Sequence, residues 1–175
     1  MEIAMTRAVL VVALLTGVVT FVTAQTPQQA TLHDSRGMVV GMATLKPSAT
    51  SGVTIELSLK GLPPGEHAVH LHETPKCEAP SFESAGPHLN PAGMEHGLKN
   101  PKGPHAGDMN NVVVAASGTA TTTLVNSRVV MNPDKDALGS RGGAAIVIHA
   151  QADDMKSDPD GNAGNRIACG VISAR

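Results

Sequence analysis

The chain has 175 residues, enough for one domain with a hydrophobic core, and its formal charge of −2 gives no reason to expect nucleic acid or an anionic membrane as a partner. Apart from histidine, its only aromatic residues are Phe21 and Phe82, so the platforms on which bases stack are absent. A core of Val, Ile, Leu, Ala and Met favours packing between β-sheets over helix bundling.

The first 24 residues have the three parts of a secretory signal peptide. Arg7 supplies a positive charge, residues 8–22 are apolar, and small residues surround a cleavage site after Ala24. An uncleaved membrane anchor is the alternative, but a span needs about 20 apolar residues, and this stretch is shorter and interrupted. We therefore predict a signal peptide at residues 1–24 and a mature domain at residues 25–175. The mature domain is expected to be periplasmic or secreted, without membrane association.

Alternation of apolar and polar residues predicts a series of short β-strands. In residues 52–60 every second side chain is apolar, the pattern of a half-buried strand. Turn residues follow, and a second strand is predicted at residues 66–72. Weaker strand patterns occupy residues 31–34, 38–45, 118–125, 144–149 and 168–172. Since no amphipathic helix is evident, the chain is predicted to form an antiparallel sandwich or barrel.

Two long segments interrupt this pattern, residues 73–111 (the covering loop) and residues 150–165 (the acidic loop). Structureless loops beyond about 12–15 residues are uncommon in compact domains unless they are functional or disordered. The covering loop is rich in proline and glycine and holds Cys77, His88, His96, His105 and Asp108. A disulfide bond and a metal ion could replace a missing apolar core there.

Cys77 and Cys169 are the only cysteines. An even count in an exported chain favours one disulfide bond, and two free buried thiols are the weaker alternative. The bond would close a loop of about 90 residues and would stabilise the fold by up to about 4–5 kcal/mol in the chain-entropy model.

Histidines in the predicted strands indicate a metal site. His70 and His72 are two residues apart in one strand, so both imidazoles point to the same side. Alone this pair is a weak signal, because solvated or hydrogen-bonded histidines are common. His67 has the opposite parity and is predicted to be a hydrogen-bonded structural residue, and His33 is predicted to be a surface residue.

The covering loop adds three imidazoles and one carboxylate, the donors of a closed tetrahedral Zn²⁺ site. Gly97 and Gly107 are expected to give the backbone the freedom to turn neighbouring ligands inward. His149 ends an apolar strand, and three strand histidines with one loop histidine would form an all-imidazole set that suits Cu(II).

Five features of the sequence occur together along nearly the whole mature chain. They are His70-Leu-His72-Glu, Ser84-Ala-Gly-Pro-His88-Leu-Asn-Pro, the spacing of His88, His96, His105 and Asp108, Ile148-His149 with Ala152-Asp-Asp154, and Gly161-Asn-Ala-Gly-Asn-Arg166-Ile-Ala-Cys169-Gly-Val-Ile. In these features the sequence resembles the copper–zinc superoxide dismutase family, in the form of its bacterial exported members.

The resemblance implies a Greek-key β-barrel, or flattened sandwich, of about eight antiparallel strands with two long functional loops. It implies a copper ion on His70, His72, His88 and His149, and a zinc ion on His88, His96, His105 and Asp108. Asp153 would connect His70 to His96, Arg166 would guide the anion beside the copper ion, and Cys77 would pair with Cys169.

The implied activity is conversion of superoxide to oxygen and hydrogen peroxide through alternate reduction and reoxidation of copper, with His88 as a proton donor and zinc in a structural role. The alternative is a non-catalytic exported copper- or zinc-binding protein on the same fold. A zinc hydrolase is disfavoured because four protein donors would close the zinc site. A structural sandwich would leave the convergent histidines unexplained. Because the family is commonly dimeric, a homodimer is one expectation.

Overall fold

The structure is a computed structural model that describes residues 26–131, 138 and 142–173; the predicted signal peptide lies outside the described residues. This part of the chain contains nine strands and a single turn of 3-10 helix at Glu83–Ala85. The strands are β1 Gln28–Asp34, β2 Val39–Pro47, β3 Val53–Leu59, β4 Gly65–His67, β5 Val69–His72, β6 Val112–Val114, β7 Ala120–Asn126, β8 Gly143–His149 and β9 Arg166–Ser173. In this part of the chain, no helix is long and apolar enough to cross a membrane.

The strands form one seven-stranded antiparallel sheet, in the order β5-β8-β9-β1-β2-β3-β7 and curled into a half-barrel, and a small sheet of β4 and β6. β1, β2 and β3 follow one another as hairpins, and β9 returns to lie beside β1, which is a Greek-key arrangement. The all-β prediction is therefore confirmed.

The predicted strand at residues 66–72 changes sheets in its middle. Ala68 separates β4 from β5 and hydrogen-bonds with residues at the end of β8 and beyond: its N–H donates to Gln151 O, and its carbonyl accepts from His149 N. With β4 and β5 counted as one strand, the fold has the expected eight. The three-residue β6 was not predicted, because a run of three valines is too short to show a period.

The strands β5 and β8 are buried on both faces, and this property creates the site. Val69 and Leu71 of β5 point into the main core, as predicted, together with apolar side chains of β8. The covering loop packs over the opposite face, where Phe82 and Val147 belong to a second, small core. His70 and His72 belong to this covered face because side chains alternate along a strand.

The Cys77–Cys169 disulfide bond joins the covering loop to β9 inside the small core, with 5.6 Å between the Cα atoms and a sequence separation of 92. The predicted disulfide bond is thus confirmed. It closes the same loop for which the chain-entropy model gives about 4–5 kcal/mol.

The covering loop also protects the free edge of β5. Leu71 N donates to Gly107 O at 2.9 Å, and Leu71 O accepts from Leu89 N at 2.8 Å. A Cβ atom on Gly107 would lie 2.2 Å from Leu71 O, so glycine is required there for close approach; the expectation of unusual backbone freedom at Gly107 is wrong. Gly97 does have that freedom, with a φ of +112°.

Candidate metal centre

Seven side chains from three parts of the fold meet in one buried region. The register of β8 with β9 shifts between Ile148 and His149, so His149 leaves the regular alternation of its strand. The covering loop supplies the remaining members opposite β5. The seven are His70, His72, His88, His96, His105, Asp108 and His149, and all are buried.

The four-histidine group consists of His70, His72, His88 and His149, whose candidate ligand atoms lie within 4.8 Å of one another. One nitrogen of three of these rings is fixed by a hydrogen bond. His72 Nδ1 donates to Gly86 O at 2.8 Å, and His149 Nδ1 donates to Gly164 O at 3.1 Å. His70 Nε2 donates to the Asp153 carboxylate at 2.9 Å. Such partners set which ring nitrogen is available to a metal.

The other nitrogens of these three rings, His70 Nδ1, His72 Nε2 and His149 Nε2, are buried and have no hydrogen-bond partner among the described residues. An unsatisfied buried polar atom costs on the order of 1–3 kcal/mol, and such atoms are rare in native proteins. Three of them in one group match the donor set of a metal ion bound by imidazoles, so the residues present fit a copper ion.

The Asp108 group consists of His88, His96, His105 and Asp108. The distances from Asp108 Oδ1 to the Nδ1 atoms are 3.0 Å for His88, 3.1 Å for His96 and 3.3 Å for His105. The Nδ1 atoms of His88 and His105 are 3.4 Å apart. A tetrahedral zinc ion with bonds near 2.0–2.1 Å would separate its ligand atoms by about 3.3 Å. These four distances match the separation expected between ligand atoms of a tetrahedral zinc ion.

His70 also lies near the Asp108 group, because candidate atoms of His70, His88, His96 and Asp108 are within 4.8 Å of one another. The rings of His70 and His88 are only 4.0 Å apart between centroids. However, His70 Nε2 is engaged by Asp153, whereas His105 Nδ1 directly approaches Asp108. His105 is therefore the better fourth member, and His88 is common to both groups.

Asp153 bridges the two groups. Its carboxylate accepts from His70 Nε2 at 2.9 Å and from His96 Nε2 at 3.0 Å, the contacts that the family resemblance implies. Asn111 holds the backbone of Asp153 at both ends: its Oδ1 accepts from Asp153 N at 2.9 Å, and its Nδ2 donates to Asp153 O at 3.0 Å. Asn111 was missed from the sequence because no pattern distinguishes it from other loop asparagines.

Burial sets the protonation of the four-histidine group. It lowers the pKa of His72 well below the usual range, that of His88 to about 4, and that of His149 to about 3. These imidazoles are therefore neutral at neutral pH, as a metal ligand must be.

In the Asp108 group, hydrogen bonding outweighs burial and favours the charged forms of His96 and Asp108. Burial lowers the pKa of His96, but hydrogen bonds to Asp108 and Asp153 outweigh burial and raise it to about 9. Burial raises the pKa of Asp108, but hydrogen bonds from the surrounding histidines outweigh it, so the carboxylate stays ionised. Without a metal, His96 thus holds a proton between two carboxylates, a place that suits a cation.

Arg166 begins β9 and is paired with His149 across the sheet. Its guanidinium donates to Phe82 O and to Gly86 O, each at 2.8 Å, and it lines an open cleft of about 580 Å³ with Glu83. No histidine lines this cleft. Arg166 therefore lies between open space and the four-histidine group, the position expected of an anion guide, although that role stays a prediction.

The two histidines excluded by the sequence lie outside both groups. His67 is buried, and its ring nitrogens are 2.8 Å from the carbonyl oxygens of His149 and Pro63, so it is a hydrogen-bonded structural residue as predicted. His33 lies in β1 and is partly exposed, and it belongs to neither group.

Comparison with known proteins agrees with this geometry. The family model for copper/zinc superoxide dismutase matches residues 39–172. Superoxide dismutase [Cu-Zn] 2 of Aquifex aeolicus is 50% identical over 145 residues, which cover 82% of this chain and 84% of that protein. Superoxide dismutase [Cu-Zn] of Caulobacter vibrioides is 45% identical over 127 residues, which cover 71% and 73%.

Two solved structures extend the comparison to the fold. A superoxide dismutase-like protein from Bacillus subtilis has a TM-score of 0.80 and 37% identity, covering 83% of this chain and 97% of that one. Cu/Zn superoxide dismutase from Brucella abortus has a TM-score of 0.68 and 25% identity, covering 85% and 100%. The chain belongs to the copper/zinc superoxide dismutase family.

Proposed function

We propose that this protein is an exported superoxide dismutase that uses one copper and one zinc ion. The observation that carries the proposal is a set of three buried ring nitrogens in the four-histidine group that have no hydrogen-bond partner among the described residues. This group shares His88 with the Asp108 group, whose atom spacing suits zinc. Copper would be held by His70, His72, His88 and His149. Zinc would be held by His88, His96, His105 and Asp108.

When bound, copper supplies the one-electron transfers that convert one superoxide to oxygen and a second to hydrogen peroxide. His88 presents Nδ1 to Asp108, so Nε2 is the atom that can carry a proton to the reduced product. Zinc is redox-inert, and because its four proposed ligands all lie in the covering loop, the ion would link distant parts of that loop. Asp153 keeps the rings of His70 and His96 in fixed orientations through its two hydrogen bonds.

Arg166 would attract and orient the superoxide anion. Its guanidinium remains charged at every physiological pH, and its bonds to Phe82 O and Gly86 O use two of its five N–H donors. The remaining donors have no hydrogen-bond partner among the described residues and would bind an anion that enters from the cleft. The acidic loop adds only one basic residue, Lys156, so Arg166 is the main positive charge for this purpose.

The ligand assignment predicts that the two metals can be lost separately. His149→Ala should lose copper and keep zinc, because His149 contacts only the four-histidine group. His105→Ala should do the reverse. Metal analysis of both purified variants against the intact protein tests this, and loss of both metals from either variant, with the fold intact by circular dichroism, would contradict the two-site assignment.

Export is supported by the Cys77–Cys169 disulfide bond, which persists in oxidising compartments. Mass spectrometry of protein from the cell envelope should find a mature chain that begins at Gln25. A cytoplasmic chain that retains residues 1–24 would contradict export.

A homodimer is proposed on the exposure of Met38, just before β2, and of Val39 and Met42 in the first half of β2. Sedimentation analysis that finds only a monomer at micromolar concentration would contradict it.

A further inference from the structure

The turn at residues 105–108 carries two of the proposed zinc ligands, His105 and Asp108. Arg128, which lies two residues beyond the end of β7, reaches this turn with a single side chain. Its Nε donates to His105 O at 3.2 Å, and its Nη2 donates to Asp108 O. One guanidinium therefore joins the backbone carbonyls of both ligand residues.

Asn126, the last residue of β7, completes the contact. It is fully buried, and its Nδ2 donates to Ala106 O at 2.8 Å, while its Oδ1 accepts from Arg128 N at 2.9 Å. The fourth carbonyl of the turn, that of Gly107, accepts from Leu71 N of β5. All four carbonyls of the turn are thus bound by donors from strand β5 or from the end of β7.

We infer that Arg128 and Asn126 are positioning residues for zinc, which hold the turn so that His105 Nδ1 and Asp108 Oδ1 converge before the metal binds. This inference rests on the proposed zinc ligands. Among the described residues, the Arg128 guanidinium donates to main-chain carbonyls of this turn, and no hydrogen bond joins it to the side chains of His70, His72 and His149. We therefore expect its effect to be confined to the Asp108 group.

The charge of Arg128 allows a positioning role to be distinguished from an electrostatic role. A guanidinium near the site repels a metal cation, so a purely electrostatic role would mean that removing the charge strengthens zinc binding. A positioning role has the opposite sign, because the turn loses two anchored carbonyls. Arg128→Lys separates the two further, since lysine keeps the charge but lacks the planar fork that reaches two carbonyls at once.

The experiment measures Zn²⁺ affinity of the mature protein by competition with a chromophoric chelator, for Arg128→Gln and Arg128→Lys. Both variants should bind zinc about 10–100-fold more weakly, the usual loss when a partner of a metal ligand is removed. Copper affinity should not change. When Co²⁺ replaces zinc in either variant, the visible absorption typical of a four-coordinate ion should be lost. Arg36→Gln is the matched control, since Arg36 is 79% exposed on the β1–β2 turn and its guanidinium pairs with Asp34, outside both metal groups.

The outcomes distinguish failure of the proposed zinc-ligand set from failure of the positioning role of Arg128. If Asp108→Asn leaves zinc affinity unchanged, the proposed ligand set is wrong. If Asp108→Asn weakens zinc binding but Arg128→Lys does not, or Arg128→Gln binds zinc more tightly, the positioning role is overturned. If Arg128→Gln fails to fold by circular dichroism, Arg128→Lys alone decides by the same affinity measurement; if both fail to fold, Arg128 is a general folding residue and the inference is rejected.

Discussion

Arg166 and His72 donate to the same carbonyl oxygen, that of Gly86, each at 2.8 Å. The proposed anion guide and a proposed copper ligand are therefore oriented by one atom of the covering loop. The Cys77–Cys169 bond holds this loop against β9, the strand that Arg166 begins. The covering loop thus couples the charge at the cleft to the orientation of a ligand ring.

Substitution of Gly86 tests this coupling. Gly86 has a φ of +73°, and an added Cβ would lie 2.9 Å from Thr74 Oγ1, so Gly86→Ala should displace the shared carbonyl. We expect weaker copper binding and slower dismutation, with a loss of stability of about 1–3 kcal/mol, because a φ of +73° with a ψ of −161° is a backbone conformation used almost only by glycine. Gly93→Ala is the control: Gly93 has a φ of +65° in the same loop with open space around it, and should lose stability without losing copper. Equal copper affinity in both variants would contradict the coupling.

Arg166 itself should govern the rate and not metal retention. Arg166→Ala should lower kcat/KM for superoxide by about tenfold or more, because local charge raises anion encounter rates over that range. Arg166→Lys should retain part of the rate, since it keeps the charge but not the two-carbonyl anchor. Pulse radiolysis at several salt concentrations measures both effects. An unchanged kcat/KM in Arg166→Ala with copper fully bound would show that the guide assignment is wrong.

The histidine network could be anticipated from the sequence only in part. The pair His70 and His72 follows from strand periodicity, because residues two apart share a face. Main-chain carbonyls of Gly86 and Gly164 orient two of the rings. Every residue has such a carbonyl, so the sequence does not indicate which ones contact a histidine. The family resemblance supplied Asp153, but the strand switch at Ala68 depends on tertiary pairing with residues some 80 positions away.

Acidification should destabilise the metal-free protein. Burial keeps His88 and His149 neutral in the folded state, with pKa values of about 4 and about 3, while the same residues in the unfolded chain take up protons near pH 6.5. The unfolded state then binds more protons, so the free energy of unfolding should fall as pH decreases from about 6.5 to about 4. Urea unfolding of chelator-treated protein measures this slope, and His149→Gln should make it shallower.

Above pH 6.5 the metal-free protein should also lose stability, but because of a raised pKa and not a lowered one. Burial lowers the pKa of His96, but its bonds to Asp108 and Asp153 raise it to about 9, so the folded state holds the extra proton between pH 6.5 and 9. Stability of the metal-free protein should therefore also fall as pH rises through this range. His96→Gln should remove the alkaline decrease. A free energy of unfolding that rises steadily from pH 6.5 to 9 would contradict the arrangement.

Loss of the disulfide bond should loosen the covering loop as well as the whole fold. Cys77→Ser with Cys169→Ser should lower the free energy of unfolding by up to about 4–5 kcal/mol. Amide hydrogen exchange should rise most in the covering loop near Phe82 and Gly86, because the small core loses its covalent link there. Uniform acceleration throughout β1, β2 and β3 would show that the bond acts only on global stability.

The most direct measurement is the superoxide dismutation rate of the mature protein, with copper and zinc content determined on the same sample. We predict catalytic removal of superoxide at one copper and one zinc per chain, lost in His149→Ala when copper is lost. Full occupancy of both sites without dismutation would contradict the enzymatic function and leave a metal-binding protein on the same fold.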